Sequence, residues 1–100
     1  MRGRTVLVTG ASTGLGLAIA RRLLAMPARR GRDPDVLVLT ARAGSLARFA
    51  AEGITASDRV ILRALDVTDA AQRHDVVGEI DDRWGGVDVQ IGRASCRERV

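Results

Sequence analysis

Directly after the apolar run Val6-Leu7-Val8 comes the segment Thr9-Gly10-Ala11-Ser12-Thr13-Gly14-Leu15-Gly16, and no other stretch restricts the fold so strongly. A short buried strand, a glycine-rich turn and a helix start, in that order, make a phosphate-binding site, so a nucleotide cofactor is the leading inference. Gly10 lets the chain leave the strand through a tight turn, Gly14 lets backbone approach a pyrophosphate, and Gly16 lets the helix pack closely on the sheet. The first-turn N–H groups then point at the anion, which gains about 0.3–1 kcal/mol from the helix dipole, with charge-assisted hydrogen bonds in addition. Ser12, Thr13 and Leu15 complete the turn residues expected to touch the cofactor. Ser12 can offer its hydroxyl to a ribose or phosphate, although serine is also an ordinary turn residue. A turn that merely joins strand to helix is the bland alternative, and the rest of the chain bears on it.

Thr5 to Thr9 reads as a strand, and from Leu15 the apolar positions Leu15, Ile19, Leu23 and Met26 follow helical spacing until Pro27 stops them. A long polar connection, Pro27 to Asp35, leads to Val36-Leu37-Val38-Leu39, short and β-branched enough to be a second strand. Ser45 is placed to cap a short helix with Leu46, Phe49 and Ala50 on one face, and Gly53 stands where a left-handed C-terminal residue is expected. Val60 to Leu65 gives a third strand ending at Asp66. Thr68 or Asp69 then caps a third helix with the stripe Val76, Val77, Ile80 and Trp84, closed by Gly85-Gly86 before a fourth strand from Val87 to Val89. The order βαβαβαβ, with right-handed crossovers, predicts the N-terminal half of a doubly wound α/β Rossmann sheet. Its strand order is 3-2-1-4, with the first two helices on one face and the third on the other.

Composition narrows the function classes. The chain has 100 residues, enough for one small domain at most, and no apolar run of about 18 residues that would span a membrane. Cys96 is the single cysteine and His74 the single histidine, so neither an internal disulfide nor a metal site is expected, and the reading is a cytoplasmic protein. The net charge is +4, yet the arginines are scattered and aromatics make up 2% of the chain, which argues against nucleic acid as a partner. Arginine is the only basic residue apart from His74; lysine, tyrosine and asparagine are absent.

In the dinucleotide-binding plan the loop after the second strand meets the adenosine ribose. An acid there binds the 2′-hydroxyl of NAD, and an arginine meets the 2′-phosphate of NADP. This chain has Thr40-Ala41-Arg42 at that place, with no carboxylate to repel a phosphate, so NADP is expected over NAD. A plain surface arginine is the alternative.

These residues resemble the short-chain dehydrogenase/reductase family. The spacing Gly10-x-x-x-Gly14-x-Gly16 after Thr9 is similar to that family's glycine pattern, Leu65-Asp66-Val67-Thr68 to its second signature, and Trp84-Gly85-Gly86-Val87-Asp88-Val89 to its approach to the fourth strand. The resemblance implies that the Asp66 side chain and the backbone groups after it, at Val67, contact the adenine, where a carboxylate can accept from the amino group. Asp66 as a helix-capping acid is the alternative. The resemblance further implies hydride transfer between a nicotinamide and a small-molecule carbonyl or alcohol, in a whole protein that is a homo-oligomer. Its chemistry relies on a tyrosine acid or base, a lysine that lowers the tyrosine pKa, a serine and an asparagine. Without tyrosine, lysine or asparagine no residue here is assigned a catalytic role, and the chain alone is expected to be inactive. A non-catalytic nucleotide-binding or regulatory module of the same fold is the second reading.

After Val89 the apolar pattern stops. Residues 91–100, Ile91 to Val100, resemble the in-frame translation of a sequencing adapter, so residues 1–90 are expected to be a truncated coenzyme-binding half-domain and 91–100 a non-native tail.

Overall fold

A computed structural model describes residues 3–26 and 35–91. The connection Pro27 to Asp35, save its last residue, and the tail beyond Ile91, with Cys96, lie outside the described residues. The elements run β1 (Thr5–Val8), α1 (Gly14–Ala25), β2 (Val36–Ala41), a 3-10 turn (Ala43–Ser45), α2 (Ala47–Ala51), β3 (Val60–Ala64), α3 (Ala70–Trp84) and β4 (Val89–Ile91). All pairings are parallel and the sheet order is β3-β2-β1-β4, as the alternation of apolar strands and amphipathic helices predicts.

Side-chain alternation along the strands separates two cores. Val6, Val8, Leu37 and Leu39 point to one face, where they pack with Ala20 of α1 and Phe49 of α2. Leu7, Val38 and Ile61 point to the other, where Val76 and Ile80 of α3 cover them. Register makes this work: Val6 lies opposite Leu37, Val8 opposite Leu39, and Val38 opposite Ile61, so equal faces stack across the sheet. Thr40 is wholly buried but satisfied, its hydroxyl donating to the Val8 carbonyl at 3.1 Å.

Three local expectations are corrected. Helical spacing predicts Leu15 and Met26 on the buried stripe of α1, yet Leu15 is 77% and Met26 48% exposed, and Leu17, Ala20 and Leu23 face the core. The small residues Gly16 and Ala20 mark the line of closest approach, and a count of large apolar residues misses them. Ser45 is not a cap. It closes the 3-10 turn by donating its N–H to the Arg42 carbonyl at 2.8 Å; α2 begins after Leu46, and Ala50 is exposed. Finally, the fourth strand, expected over Val87 to Val89, runs from Val89 to Ile91: Ile91 lies opposite Val8, and its carbonyl accepts from Thr9 N–H at 2.9 Å. The side of β1 away from β2 offers the backbone groups that these residues meet, and a β-branched residue such as Ile91 suits the pairing.

The end of the sheet where the chain enters its strands is tied by acids. Asp35 accepts from Arg4 N–H at 2.9 Å and pairs with the Arg4 guanidinium, and Asp88 Oδ2 accepts from Thr5 N–H at 2.7 Å. No helix among the described residues is long and apolar enough to cross a membrane.

Candidate functional site

Because the strands are parallel, β1, β2 and β3 all release their chains at one rim of the sheet, and the residues singled out from sequence gather there. The turn after β1 is tightest. Gly10 has φ +62° and Gly14 φ +58°, the left-handed region that glycine alone adopts freely. Ala11 N–H donates to the Thr40 carbonyl at 2.9 Å, fastening the turn to β2, while Ala11 and Ser12 are buried and Thr13, Gly14 and Leu15 exposed. A side chain on Gly16 would begin 2.2 Å from the Gly10 carbonyl oxygen, whereas one on Gly14 would meet nothing within 4 Å. Gly16 is thus required by the closeness of the helix to the turn, and Gly14 by its φ beneath open space.

The start of α1 is left open. Thr13 is extended, with φ −149° and ψ 164°, and its side chain makes no capping hydrogen bond. No acid stands in the first turn. By contrast, α3 is closed by Asp69, whose carboxylate accepts from Ala71 and Gln72 N–H. One helix of the pair has satisfied its amides internally; the other presents them at the rim.

Arg42 follows β2 and is exposed. Across the β2–β3 gap stands Asp66, whose Oδ1 accepts from Thr68 N–H at 3.0 Å and Thr68 Oγ1 at 2.6 Å. The Thr68 hydroxyl first, then its N–H, hold the Asp66 carboxyl below the usual carboxylate range against some desolvation, with the charge of Arg42 adding the least. It is an ionised acceptor at neutral pH. Asp66 does not cap α3 directly, since Asp69 does so; it nucleates the turn that precedes the helix. Val67 is half-buried against the α3 core, and its carbonyl accepts from the Arg73 guanidinium.

Gln72 and Arg73, which hold this turn from the first turns of α3, are absent from the sequence-based set. The spacing Asp69-x-x-Gln72 is a signal that would have pointed to Gln72, because a glutamine three residues after an N-cap commonly bonds back to backbone. On the α3 face a cavity of about 30 Å³ lies between the end of β1, at Leu7 and Thr9, and Val67, Val76, Val77 and Gln90.

The family model described as short chain dehydrogenase matches residues 4–99. Cyclohexanol dehydrogenase of Rhodococcus sp. (strain TK6) is 36% identical, over 94% of this chain and 37% of its own length. Sorbitol dehydrogenase of Cereibacter sphaeroides is 37% identical, over 93% of this chain and 33% of its own. Among solved structures, a short-chain dehydrogenase from Streptomyces avermitilis superposes with a TM-score of 0.68 and 34% identity, covering 88% of this chain and 29% of that one. The chain therefore spans about a third of the length of the curated relatives it matches.

Proposed function

The chain belongs to the short-chain dehydrogenase family, and from that membership we propose that it forms the coenzyme-binding part of an oxidoreductase acting on a small-molecule carbonyl or alcohol, with NADP(H) preferred to NAD(H). The observation that carries the reading is the uncapped start of α1 over a turn with two left-handed glycines and no acid. Such a rim suits a diphosphate: amides of Gly14, Leu15 and Gly16 donate, Ser12 and Thr13 flank them, and Gly10 shapes the approach. Arg42 offers a planar fork to a ribose 2′-phosphate, and it stands exposed at the rim where such a group would lie. Asp66 and Val67 face the adenine, the ionised carboxylate as acceptor and the Val67 N–H as donor.

When bound, the nicotinamide supplies or takes a hydride. This chain's residues bind and orient the coenzyme; none is proposed to move a proton, since the chain has no tyrosine, lysine or asparagine. A cytoplasmic setting and a homo-oligomeric whole protein go with this reading. The chain alone is expected to bind coenzyme without turnover, and measurable oxidation of an alcohol by it would overturn that part.

Titration with NADP and NAD tests the preference. Wild type is expected to bind NADP more tightly, and Arg42→Ala to lose about tenfold for NADP with little change for NAD, the scale of one charge-assisted contact. An unchanged ratio removes Arg42 from this role. Wild type with no affinity for either coenzyme sinks the proposal as a whole.

A further inference from the structure

The turn between β3 and α3 uses its backbone amides unevenly. Leu65 N–H donates to the Ala41 carbonyl at 2.8 Å and Asp69 N–H to the Asp66 carbonyl at 2.9 Å. Asp66 N–H donates to Gln72 Oε1 at 2.7 Å and Thr68 N–H to Asp66 Oδ1 at 3.0 Å. Among the described residues, Val67 N–H alone in this run donates to nothing. A trans peptide points its carbonyl and N–H in opposite directions, so the bond drawing the Asp66 carbonyl toward Asp69 turns the Val67 N–H away from the helix. Thr68 occupies Asp66 Oδ1 twice, which leaves Oδ2 as the acceptor still open.

Two α3 side chains hold this arrangement from behind. Gln72 accepts from Asp66 N–H, and the Arg73 guanidinium donates to the Val67 carbonyl. Gln72 is exposed and adds nothing to the core, and Asp69 already caps the helix. A glutamine at this position ordinarily bonds to the N–H of the N-cap residue. Here that N–H is taken by the Asp66 carbonyl, and the Gln72 amide reaches three residues further back instead.

Resting on the coenzyme reading, we infer that Gln72 and Arg73 are positioning residues for the base: they hold an open donor, Val67 N–H, next in the chain to an open acceptor, Asp66 Oδ2, and so make the site select adenine over hypoxanthine. Adenine offers an amino donor next to a ring acceptor. Hypoxanthine reverses both, presenting a carbonyl to the carboxylate and a ring N–H to the amide, so each partner is left facing its own kind.

Calorimetric titration of the full chain with ADP-ribose and with inosine diphosphate ribose tests this. Wild type is expected to prefer ADP-ribose. Gln72→Leu, which lacks the acceptor, should weaken ADP-ribose binding about three- to tenfold and narrow the preference between the bases. Gln72→Glu keeps an acceptor and should restore the preference, and Arg73→Leu should act in the same direction as Gln72→Leu. No wild-type affinity for ADP-ribose overturns the coenzyme reading and this inference with it. If wild type binds ADP-ribose without preferring it, or Gln72→Leu keeps the wild-type ratio or loses both ligands equally, this inference alone falls.

Discussion

At Gly16 one methyl group decides whether the turn after β1 exists. Its Cβ would begin 2.2 Å from the Gly10 carbonyl oxygen, and both partners are backbone, so neither can swing aside as a side chain would. Gly16→Ala should therefore destabilise by at least the 1–3 kcal/mol typical of overpacking, about 4–8 °C per kcal/mol in Tm for a domain of this size, and should abolish nucleotide binding. Gly14→Ala has room for its methyl but must adopt φ near +58°, at a cost of about 1–2 kcal/mol. Thermal melts of both variants check the ranking; a Gly16→Ala melt at or above that of Gly14→Ala contradicts it. The same contact explains which side of α1 was legible. Spacing alone pointed to Leu15, but the helix rotates to seat Gly16 against the turn, and Leu15, one position and about 100° away, is carried outward.

At the scale of elements, the two long helices make opposite use of their N-termini. Asp69→Ala removes the carboxylate that serves two amides of α3 and should cost about 1 kcal/mol, whereas Thr13→Ala removes no cap bond from α1 and should leave stability within about 0.5 kcal/mol of wild type. Denaturant unfolding of the two variants reads this directly, and equal losses would contradict it. Helix α3 is also clamped to β3, where Arg63 meets Glu79 through two parallel hydrogen bonds of 2.9 and 2.6 Å and Arg83 adds a third contact. Arg63, chiefly by its hydrogen bond, holds the Glu79 carboxyl below its ordinary value of 4.5 despite some desolvation. The folded state thus binds that proton less readily than the unfolded chain. The stabilisation is complete above the ordinary value and disappears as pH falls through the lower folded one. Both side chains are partly exposed, so screening limits the effect to about 1 kcal/mol. Glu79→Gln should lose that much at pH 7 and nothing near pH 2, flattening the acid limb of a stability-versus-pH curve; an unaltered limb would assign the acid sensitivity elsewhere.

Across the whole molecule, the sheet is clothed unequally. Among the described residues α1 and α2 cover one face, while α3 alone covers the other and leaves the small cavity beside Thr9 and Gln90. Strands β3 and β4 are the two edges of the described sheet. A parallel sheet is ordinarily buried on both sides, so the chain by itself should be marginally stable and self-associating, with a transition below about 45 °C. Scanning calorimetry with sedimentation checks this, and a monomer melting cooperatively above about 65 °C would refute it. Strand order and helix sides were readable because alternation and crossover handedness are global rules that few residues can override. Gln72 and Arg73 were less legible, since each is placed by a backbone group of the preceding turn, six residues back, whose course the apolar pattern does not dictate; Ile91 owes its place to β1, far away in the chain.

The acids that tie the strands, Asp35 and Asp88, work at the rim opposite the one where Arg42 and Asp66 stand. On the proposed reading, fastening and recognition are physically uncoupled: a lineage can retune which coenzyme it accepts by editing one end of the sheet while the rivets at the other go untouched.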